Sequence, residues 1–189
     1  MRLEAAMQAE VPIIAADGGA KHVKGSIEAL VGDLDSVTDE LLEASKNVHL
    51  DDDPSNTDLA KALKHAISRG WRSADIVGIS GGSLGHQLGV IGALATSGIS
   101  MDVCCILEDG LLANVPKYRD VSGQGQPSFS IFSFGETSTI TIKGAKWTLD
   151  QERLELSTIG ARNIAVTDTK VTNHLNAPGL LIALDFNAS

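Results

Sequence analysis

Features that mark secreted and membrane-spanning proteins are scarce in this sequence. It has only two cysteines among 189 residues, Cys104 and Cys105, and neighbours on a strand point to opposite faces, so we expect core residues rather than a disulfide. No apolar run approaches the roughly 20 residues that a membrane-spanning helix requires. Residues 1–7 lack the basic and then apolar order of a signal peptide. These absences exclude a disulfide scaffold and a spanning helix, and lead us to expect a cytoplasmic protein.

Basic residues are fewer than acidic ones. The sequence has 15 Lys and Arg against 24 Asp and Glu, for a formal net charge of −9. A surface of this sign repels nucleic acid and anionic membranes, so we expect neither as a partner. An anionic ligand such as a nucleotide would need local basic groups or a divalent metal ion. The remaining composition, with 43% hydrophobic and 21% charged residues, is typical of a globular protein and excludes a disordered chain.

The first half of the chain alternates short apolar runs with helical patterns. Apolar runs predict buried strands at residues 11–16, 29–31, 75–79 and 101–107. The clearest helix is predicted over residues 57–69, because its apolar residues recur at the helical period and Gly70 follows as a stop signal. Shorter patterns predict a helix after Ser36, which with Asp39 resembles a capping box, and another that ends near Gly98. Strands that alternate with helices predict an α/β domain, a Rossmann-like parallel sheet with helices on both faces.

The pattern changes after Pro116, where a polar, Gly-rich segment at residues 121–127 indicates a domain boundary. We place the α/β domain at residues 1–118 and a second domain at residues 126–189. The second domain shows no convincing helical pattern. It consists of short β-rich runs separated by turn residues, at 129–134, 138–142, 154–157, 164–171 and 180–186. This pattern predicts a small all-β domain, an antiparallel sandwich or barrel; the sandwich is the expected form.

Several carboxylates follow predicted strands. Asp33 and Asp35 come just after the apolar run 29–31, and Asp17 ends the run before it. On extended backbone, residues two apart point to the same face, about 6.5 to 7 Å apart at Cα. Ligands bind at the carboxyl ends of parallel strands, so Mg²⁺, which takes one or two carboxylates, is the expected occupant. The alternatives are that Asp33 or Ser36 caps the next helix and that Asp17 belongs to an Asp-Gly turn.

A second group of candidates lies at helix starts. Thr57, Asp58 and Lys61 begin the clearest helix, where Asp58 could hold metal and the ammonium of Lys61 could reach phosphate. The alternatives are capping by Ser55, Asn56 or Thr57 and an i, i+3 ion pair between Asp58 and Lys61. Further along, the segment Ser80–Ser83 follows a strand and precedes a helix, a geometry that can cradle phosphate. His86, in the first turn of that helix, is either a ligand contact or an ordinary surface or packing histidine.

In these motifs the chain resembles the thiamine pyrophosphokinase family over nearly its whole length. Residues Ala16–Ala20 resemble the family's first Asp motif, and Gly32–Ser36 match its Gly-Asp-x-Asp-Ser motif. Residues Asp53–Lys61 resemble its Asp-x-Asp-x-Thr-Asp helix start, with Ser55 in place of the middle Asp. Residues Gly144–Leu149 match its Gly-x-x-Trp-x-Leu strand. The family fold, an α/β nucleotide domain followed by a β sandwich, agrees with the two domains placed above.

The resemblance implies an Mg²⁺-dependent transferase that moves a pyrophosphoryl group from ATP to the hydroxyl of thiamine and releases AMP. By analogy Asp33, Asp35 and Asp58 would hold Mg²⁺, and Asp17 would lie beside the reacting hydroxyl, which makes these four the expected catalytic residues. The expected ligand-binding residues match the family's nucleotide and thiamine motifs: Ser36, Thr57, Lys61, Gly81, Gly82, Ser83, His86, Trp147 and Asn163. Of these, the last two belong to the thiamine side. The resemblance also implies a homodimer with the active site at its interface.

The chain departs from the family pattern around its glycine pair. Ser83, Gly85 and Val90 stand where the family has Arg, Asp and Asn, and a serine cannot replace the charge that an arginine places beside a polyphosphate. Arg162 precedes Asn163 where the family has serine. These departures leave two alternatives open. One is a thiamine- or nucleotide-binding protein of the same fold that has lost catalysis, and the other is a pyrophosphokinase that acts on a different alcohol.

Overall fold

The computed structural model describes residues 11–97, 100–121, 127–135 and 137–186. Contacts divide the chain into two compact units, Met1–Trp71 (unit 1) and Arg72–Ser189 (unit 2). This division lies well before the domain limits predicted from the sequence, 1–118 and 126–189, because strands near residues 75 and 103 pair within the sheet of unit 2. The predicted limits stay a prediction about functional domains.

Unit 1 is built on a three-stranded parallel sheet with the order β1-β2-β3. Its strands are β1 (Ile14–Ala16), β2 (Ala29–Gly32) and β3 (Val48–Leu50). A 3₁₀ helix (Asp17–His22) follows β1, helix α1 (Asp39–Ala44) joins β2 to β3, and helix α2 (Asp58–Ser68) follows β3. Parallel strands need crossover connections, which is why these short strands alternate with helices.

The central strand β2 is buried on both faces. Successive side chains of a strand point to opposite faces, so neighbouring residues enter different apolar clusters. Ala29 and Val31 pack with Ala62 of α2. Leu30 lies in a second cluster, against which Leu41 of α1 packs. Helices therefore lie on both faces of this sheet, which has three strands rather than the larger number predicted.

Helix α2 has the ends that its sequence predicts. The Thr57 hydroxyl accepts a hydrogen bond at 3.3 Å from the backbone N–H three residues later, which caps the first turn. After the other end, Gly70 has a φ of +82°, a left-handed conformation that glycine adopts without strain. The capping box predicted for α1 is wrong: this helix begins after Thr38, and the Ser36 hydroxyl donates to the carboxylate of Asp35 instead. Across the described chain, no helix is long and apolar enough to cross a membrane.

Unit 2 contains a nine-stranded mixed sheet and helix α3 (Leu84–Ser97). The strands are β4 (Ser73–Ile76), β5 (Asp102–Ile106), β6 (Gly110–Asn114), β7 (Tyr118–Val121), β8 (Ser128–Ser133), β9 (Ser138–Ala145), β10 (Leu149–Leu154), β11 (Asn163–Asn173) and β12 (Leu180–Asp185). Their order is β10-β9-β11-β8-β12-β6-β5-β4, and β7 pairs with β11. Strands β4 and β5 are parallel, whereas β5 and β6 are antiparallel. The parallel strands therefore fall into two sheets rather than the single sheet predicted.

The long strand β11 connects two parts of this sheet. Its first residues, Asn163 and Ile164, pair with β8, whereas residues 165–173 pair with β9 across an irregularity in register. Such a bulge bends a strand and increases its twist. Side chains from both parts meet in one apolar cluster, which contains Phe129, Ile131, Ile140, Ile142, Val171, Leu180 and Ile182. The β-rich half thus folds over a single core.

Three strands lie outside the sequence-based predictions. All three residues of β3 are exposed, so this edge strand has no apolar pattern to detect. Strands β6 and β7 lie between residues 107 and 129, where the sequence analysis predicts no element. The strand predicted at residues 154–157 is also shifted: the structure has β10 at Leu149–Leu154. Most residues of β10 are polar and exposed, and pairing with β9 determines its position.

The two cysteines occupy strand β5. Cys105 is buried, Cys104 is partly buried, and both thiols are free. Burial raises the pKa of both thiols, that of Cys105 to about 12. Both are therefore protonated near neutral pH, in agreement with their expected place in the core.

The buried side chain of Asn114 connects β6 to the start of β5. Its Oδ1 accepts the N–H of Val103 at 2.9 Å, and its Nδ2 donates to the carbonyl of Met101 at 2.8 Å. Asn114→Leu would leave both backbone groups unpaired, so we expect the free energy of unfolding in urea to fall by about 2–3 kcal/mol. The control is Asn47→Ala, which removes an exposed bond to the carbonyl of Glu28 and should cost less than about 1 kcal/mol. Equal losses in the two variants would contradict this role.

Candidate functional site

The turn after β2 brings carboxylates together through its backbone conformation. β2 ends at Gly32 with a φ of +151°, and Leu34 follows with a φ of +64°. The expectation of extended backbone between Asp33 and Asp35 is therefore wrong. The Asp33 carboxylate accepts the backbone N–H of Asp35 at 3.3 Å, and the Ser36 hydroxyl donates to the Asp35 carboxylate at 2.9 Å. These bonds hold both carboxylates at the carboxyl end of β2.

Asp17 is the buried member of the candidate site. It follows β1 directly with a φ of +39°, and only 8% of its surface is exposed. Its Oδ1 is buried and has no hydrogen-bond partner among the described residues. A buried carboxylate oxygen without a partner is costly. A cation or a hydroxyl donor would satisfy it.

Asp17, Asp33 and Asp35 meet where β1 and β2 end. One carboxylate oxygen from each lies within 4.8 Å of the other two. The two strands are parallel neighbours, so their carboxyl ends lie at the same edge of the sheet. Three carboxylates this close repel each other unless a cation lies among them, and oxygen ligands suit Mg²⁺. Among the residues that the structure describes, these three therefore form the group that could hold a metal ion.

Asp58, the third metal ligand expected from the resemblance, forms an ion pair with a lysine. Its Oδ1 lies 3.3 Å from Nζ of Lys61 within α2, and the lysine side chain is buried. Burial lowers the pKa of this ammonium, but the hydrogen bond to Asp58 and the charges of Asp58, Asp51 and Asp33 outweigh burial and raise it. The i, i+3 ion pair considered as the alternative for these residues is thus present in the structure.

Gly32 sets the spacing of the surrounding carboxylates. A Cβ added at this position would lie 2.9 Å from Cβ of Asp17 and 3.3 Å from Oδ1 of Asp58. Any side chain at position 32 would therefore compete for space with these two acidic side chains. In the sequence Gly32 is visible only as the first position of a motif, because its neighbours in space, Asp17 and Asp58, begin the 3₁₀ helix and α2.

Two hydroxyls predicted to bind ligand already serve the scaffold. The Thr57 hydroxyl caps α2, and the Ser36 hydroxyl donates to Asp35. Ser36 also packs closely on Gly18: a Cβ added to Gly18 would lie 3.3 Å from Cβ of Ser36. Both residues therefore act first on the helix start and the carboxylate next to them.

Unit 1 contains a cleft that the sequence analysis missed. Its volume is about 230 Å³, and the lining includes His49, His65 and Lys64 next to Lys61. The two imidazole rings lie 4.9 Å apart. Burial, together with the nearby His49 and Arg69, lowers the pKa of His65, so this ring is mostly uncharged near neutral pH. No sequence signal marked the pair, because His49 lies in the exposed strand β3.

In unit 2, the predicted phosphate cradle is the start of α3. Gly81 and Gly82 have φ values of +91° and +77°. The Ser83 hydroxyl accepts the backbone N–H of His86 at 3.2 Å, which makes Ser83 the cap of this helix. The His86 ring packs on Gly82, where an added Cβ would lie 3.1 Å from its Cδ2. His86 is otherwise exposed, and its role as a ligand contact stays a prediction.

Trp147 and Asn163, the residues expected on the thiamine side, are hydrogen-bonded to each other. Asn163 accepts the backbone N–H of Trp147 at 3.1 Å and donates to its carbonyl at 2.7 Å. Asn163 is 3% exposed, whereas Trp147 is 53% exposed. Nζ of Lys146 lies 4.5 Å from the centre of the indole ring. Asn163 therefore holds the backbone, and the indole is the part open to a ligand.

Gly32→Ala should disrupt the carboxylate group without unfolding unit 1. The added methyl would displace Asp17 and force an unfavourable φ, so we expect Mg²⁺ affinity, measured by calorimetric titration, to fall about tenfold or more. Gly19→Ala is the matched control, because a Cβ added there meets no atom within 4 Å. Equal Mg²⁺ affinities in the two variants would show that Asp17 does not take part in metal binding.

Comparisons with known proteins identify the family of this chain. Residues 3–105 match the thiamin pyrophosphokinase catalytic domain, and residues 115–178 match the thiamin pyrophosphokinase vitamin B1 binding domain. No curated protein matches the chain by sequence. The solved thiamine pyrophosphokinase of Bacillus subtilis is 21% identical, with a TM-score of 0.75 over 98% of this chain and 92% of that one.

Two further solved structures share the fold. The thiamin pyrophosphokinase of Geobacillus thermodenitrificans is 18% identical, with a TM-score of 0.75 over 100% of this chain and 92% of that one. The thiamin pyrophosphokinase of Candida albicans is 12% identical, with a TM-score of 0.72 over 96% of this chain and 83% of that one. Because the catalytic-domain match alone spans more than half of the sequence, the chain belongs to the thiamin pyrophosphokinase family, a family of enzymes that form thiamine diphosphate.

Proposed function

We propose that this chain transfers a pyrophosphoryl group from ATP to the hydroxyl of thiamine and releases AMP, with Mg²⁺ held by Asp17, Asp33 and Asp35. Family membership supports thiamine diphosphate as the product and ATP as the donor. The observation that carries the proposal is the group of three carboxylates within 4.8 Å, one of which has a buried oxygen without a hydrogen-bond partner.

The three carboxylates suit a divalent cation in charge and ligand type. When bound, Mg²⁺ would neutralise charge on the phosphate oxygens of ATP and help to orient them. We place Asp17 in the ligand set, because its unpartnered oxygen gains most from a cation. Asp58 then serves as the partner of Lys61 at 3.3 Å, rather than as the third metal ligand.

Lys61 supplies a fixed positive charge beside the carboxylates. Although burial acts against it, the pKa of Lys61 is raised by its hydrogen bond to Asp58, so the ammonium stays protonated. An ammonium attracts phosphate oxygens as a point charge. Because the surrounding groups are mainly carboxylates, this charge is needed before a polyphosphate can approach the site.

Pyrophosphoryl transfer requires positioning and charge neutralisation more than a nucleophile from the protein. The hydroxyl oxygen of thiamine would form a bond to the β-phosphorus of ATP as the bond from that phosphorus to the oxygen of AMP breaks. The hydroxyl proton would pass to a carboxylate. Asp17 is the proposed acceptor, because a carboxylate offers two oxygens with several lone pairs, enough for a metal ion and a hydroxyl.

Trp147 is the proposed thiamine contact. Its indole is more than half exposed while its backbone is held by Asn163. An indole stacks on planar rings and attracts cations over its face, and thiamine carries a cationic thiazolium ring. This residue lies in unit 2 and the carboxylates lie in unit 1. We also propose the homodimer that the family resemblance implies.

Replacing Asp33 or Asp35 with Asn should abolish turnover and preserve the fold. Each change removes a negative metal ligand from an exposed turn, where it contributes little to packing. We expect AMP formation from ATP, Mg²⁺ and thiamine to fall about 100-fold or more, with an unchanged circular dichroism spectrum.

The matched control is Asp52→Asn, an exposed aspartate outside the carboxylate group, which should keep wild-type turnover. EDTA should stop AMP formation by the wild-type protein. Wild-type turnover in both site variants, or AMP formation in EDTA, would refute the metal assignment.

Ser83 favours a second candidate, a nucleotide- or thiamine-binding protein without turnover. The family pattern has arginine at this position, and the Ser83 hydroxyl is used to cap α3. It therefore adds no positive charge beside a polyphosphate. Binding of ATP and thiamine without formation of AMP or ADP would support this candidate.

Ser83→Arg tests whether the missing charge limits nucleotide binding. A new hydrogen bond to a charged group contributes roughly 1.5–3 kcal/mol, so we expect ATP affinity to rise at least about tenfold in calorimetric titration. The lost cap should lower stability by about 1 kcal/mol, and Ser83→Ala is the control that loses the cap without adding charge. Thiamine affinity should not change. Unchanged ATP affinity would mean that another cation, such as Lys61, already neutralises the phosphates.

A further inference from the structure

A polar cleft lies on the β-rich half of the chain. Its volume is about 380 Å³, and its walls come from β9, β10, β11 and the residue that follows β11. This volume is in the range typical of small-molecule sites, about 300–1,000 Å³. None of its lining residues is among those proposed above for metal, nucleotide or thiamine binding.

Two lysines face each other in this cleft. Lys143 of β9 and Lys170 of β11 are direct cross-strand partners in an antiparallel pair. The next partners along, Ile142 and Val171, are fully buried, so the lysines lie on the opposite, exposed face. Like charges directly opposite each other destabilise a sheet. Such a pair is unexpected in a chain with a formal net charge of −9.

Protein groups compensate these two charges only in part. Asp150 also lines the cleft. Asp120 is the cross-strand partner of Lys170, whose Nζ lies 4.0 Å from the centre of the Tyr118 ring. Lys143 forms no ion pair with any residue that the structure describes. The ammonium of Lys143 is therefore free to contact an anion.

The cleft also contains an ordered polar wall. The buried Thr141 hydroxyl lies 2.8 Å from Nε2 of His174 and accepts the backbone N–H of Gln151 at 3.0 Å. Gln151 has a φ of +52° at the register irregularity between β9 and β10. A residue other than glycine adopts this left-handed conformation at a cost. The hydrogen bond to Thr141 thus holds an unfavourable backbone segment in place beside the lysines.

We propose that this cleft binds a phosphate-bearing anion through Lys143 and Lys170. Lysine binds phosphate as a point charge, and a diphosphate carries enough negative charge for two ammonium groups. The bound anion would also remove the repulsion between the two strands. Free diphosphate and a diphosphate group on an organic molecule share this chemistry. The site is independent of the carboxylate group and does not rest on the proposed function.

Calorimetric titration of the full chain with inorganic pyrophosphate tests the proposal. EDTA is present, so that no divalent cation can bring pyrophosphate to the carboxylate group. We expect saturable binding, about tenfold weaker binding by Lys143→Gln and no measurable binding by the double variant Lys143→Gln/Lys170→Gln. Lys117→Gln, which removes the same charge from an exposed residue outside the cleft, should bind as the wild type does.

Titrations with succinate and with thiamine diphosphate define the ligand. Succinate, which carries two carboxylates, should bind much more weakly than pyrophosphate. Thiamine diphosphate that competes with pyrophosphate would identify the organic diphosphate as a ligand, whereas binding of pyrophosphate alone would identify the free anion; both outcomes support the proposal. Equal binding of succinate would refute selection of phosphate.

Thermal unfolding gives a second readout. Without anions, Lys143→Gln should raise Tm by about 1–3 °C, because it removes the like-charge pair. Pyrophosphate should raise the Tm of the wild type more than that of the variant. A lower Tm in Lys143→Gln, no pyrophosphate binding by the wild type at millimolar concentration, or equal binding by the double variant would overturn the proposal.

Discussion

Repulsion among the carboxylates at the ends of β1 and β2 is the constraint on which the candidate active site depends. Asp17, Asp33 and Asp35 place oxygens within 4.8 Å of one another, although Asp17 is buried. Water cannot screen a buried carboxylate well, so the arrangement requires nearby positive charge. Gly32 leaves room for the buried member, and Lys61, held by Asp58, brings one cation into the same region. A metal ion would supply the rest.

The motif residues of this chain serve the scaffold as well as any ligand. The hydroxyls of Ser36 and Ser83 and the amide of Asn163 each make a hydrogen bond that sets a turn, a helix start or a strand connection. A motif therefore encodes backbone geometry in addition to chemistry. This is why Ser83 matters: the cap it provides preserves the start of α3, while the positive charge of the family's arginine is absent. At this position the helix cap is kept although the positive charge is lost.

Net charge hides how unevenly the charged groups are distributed. The formal charge of −9 excludes a generally basic surface, yet the β-rich unit places Lys143 and Lys170 side by side across two strands. The carboxylate group favours binding of a cation, and the lysine pair favours binding of an anion. Like charges placed close together destabilise a fold, and a ligand of opposite charge would remove that cost at either place.

The sequence by itself determined the local elements and the types of groups available. Helix α2 follows from its apolar period, from Thr57 and from Gly70, and strands β1, β2 and β5 follow from apolar runs. The acidic residues at strand ends were also visible, because motif positions and spacing lie within a few residues of one another. Exposed β3 and polar β10 were not, since pairing with a neighbouring strand, rather than apolar pattern, places them.

Only the tertiary structure decided which distant groups meet. Strands β4 and β5 belong to the sheet of unit 2 because β5 forms backbone hydrogen bonds with β6. The apolar runs of β4 and β5 do not specify this partner. Asp17 lies beside Asp33 and Asp35 because β1 and β2 are parallel neighbours, whose carboxyl ends lie at the same edge of the sheet. Lys143 and Lys170 are 27 positions apart in the sequence and become neighbours through strand register alone. Such pairings depend on long-range contacts and backbone conformations that local residue patterns do not specify.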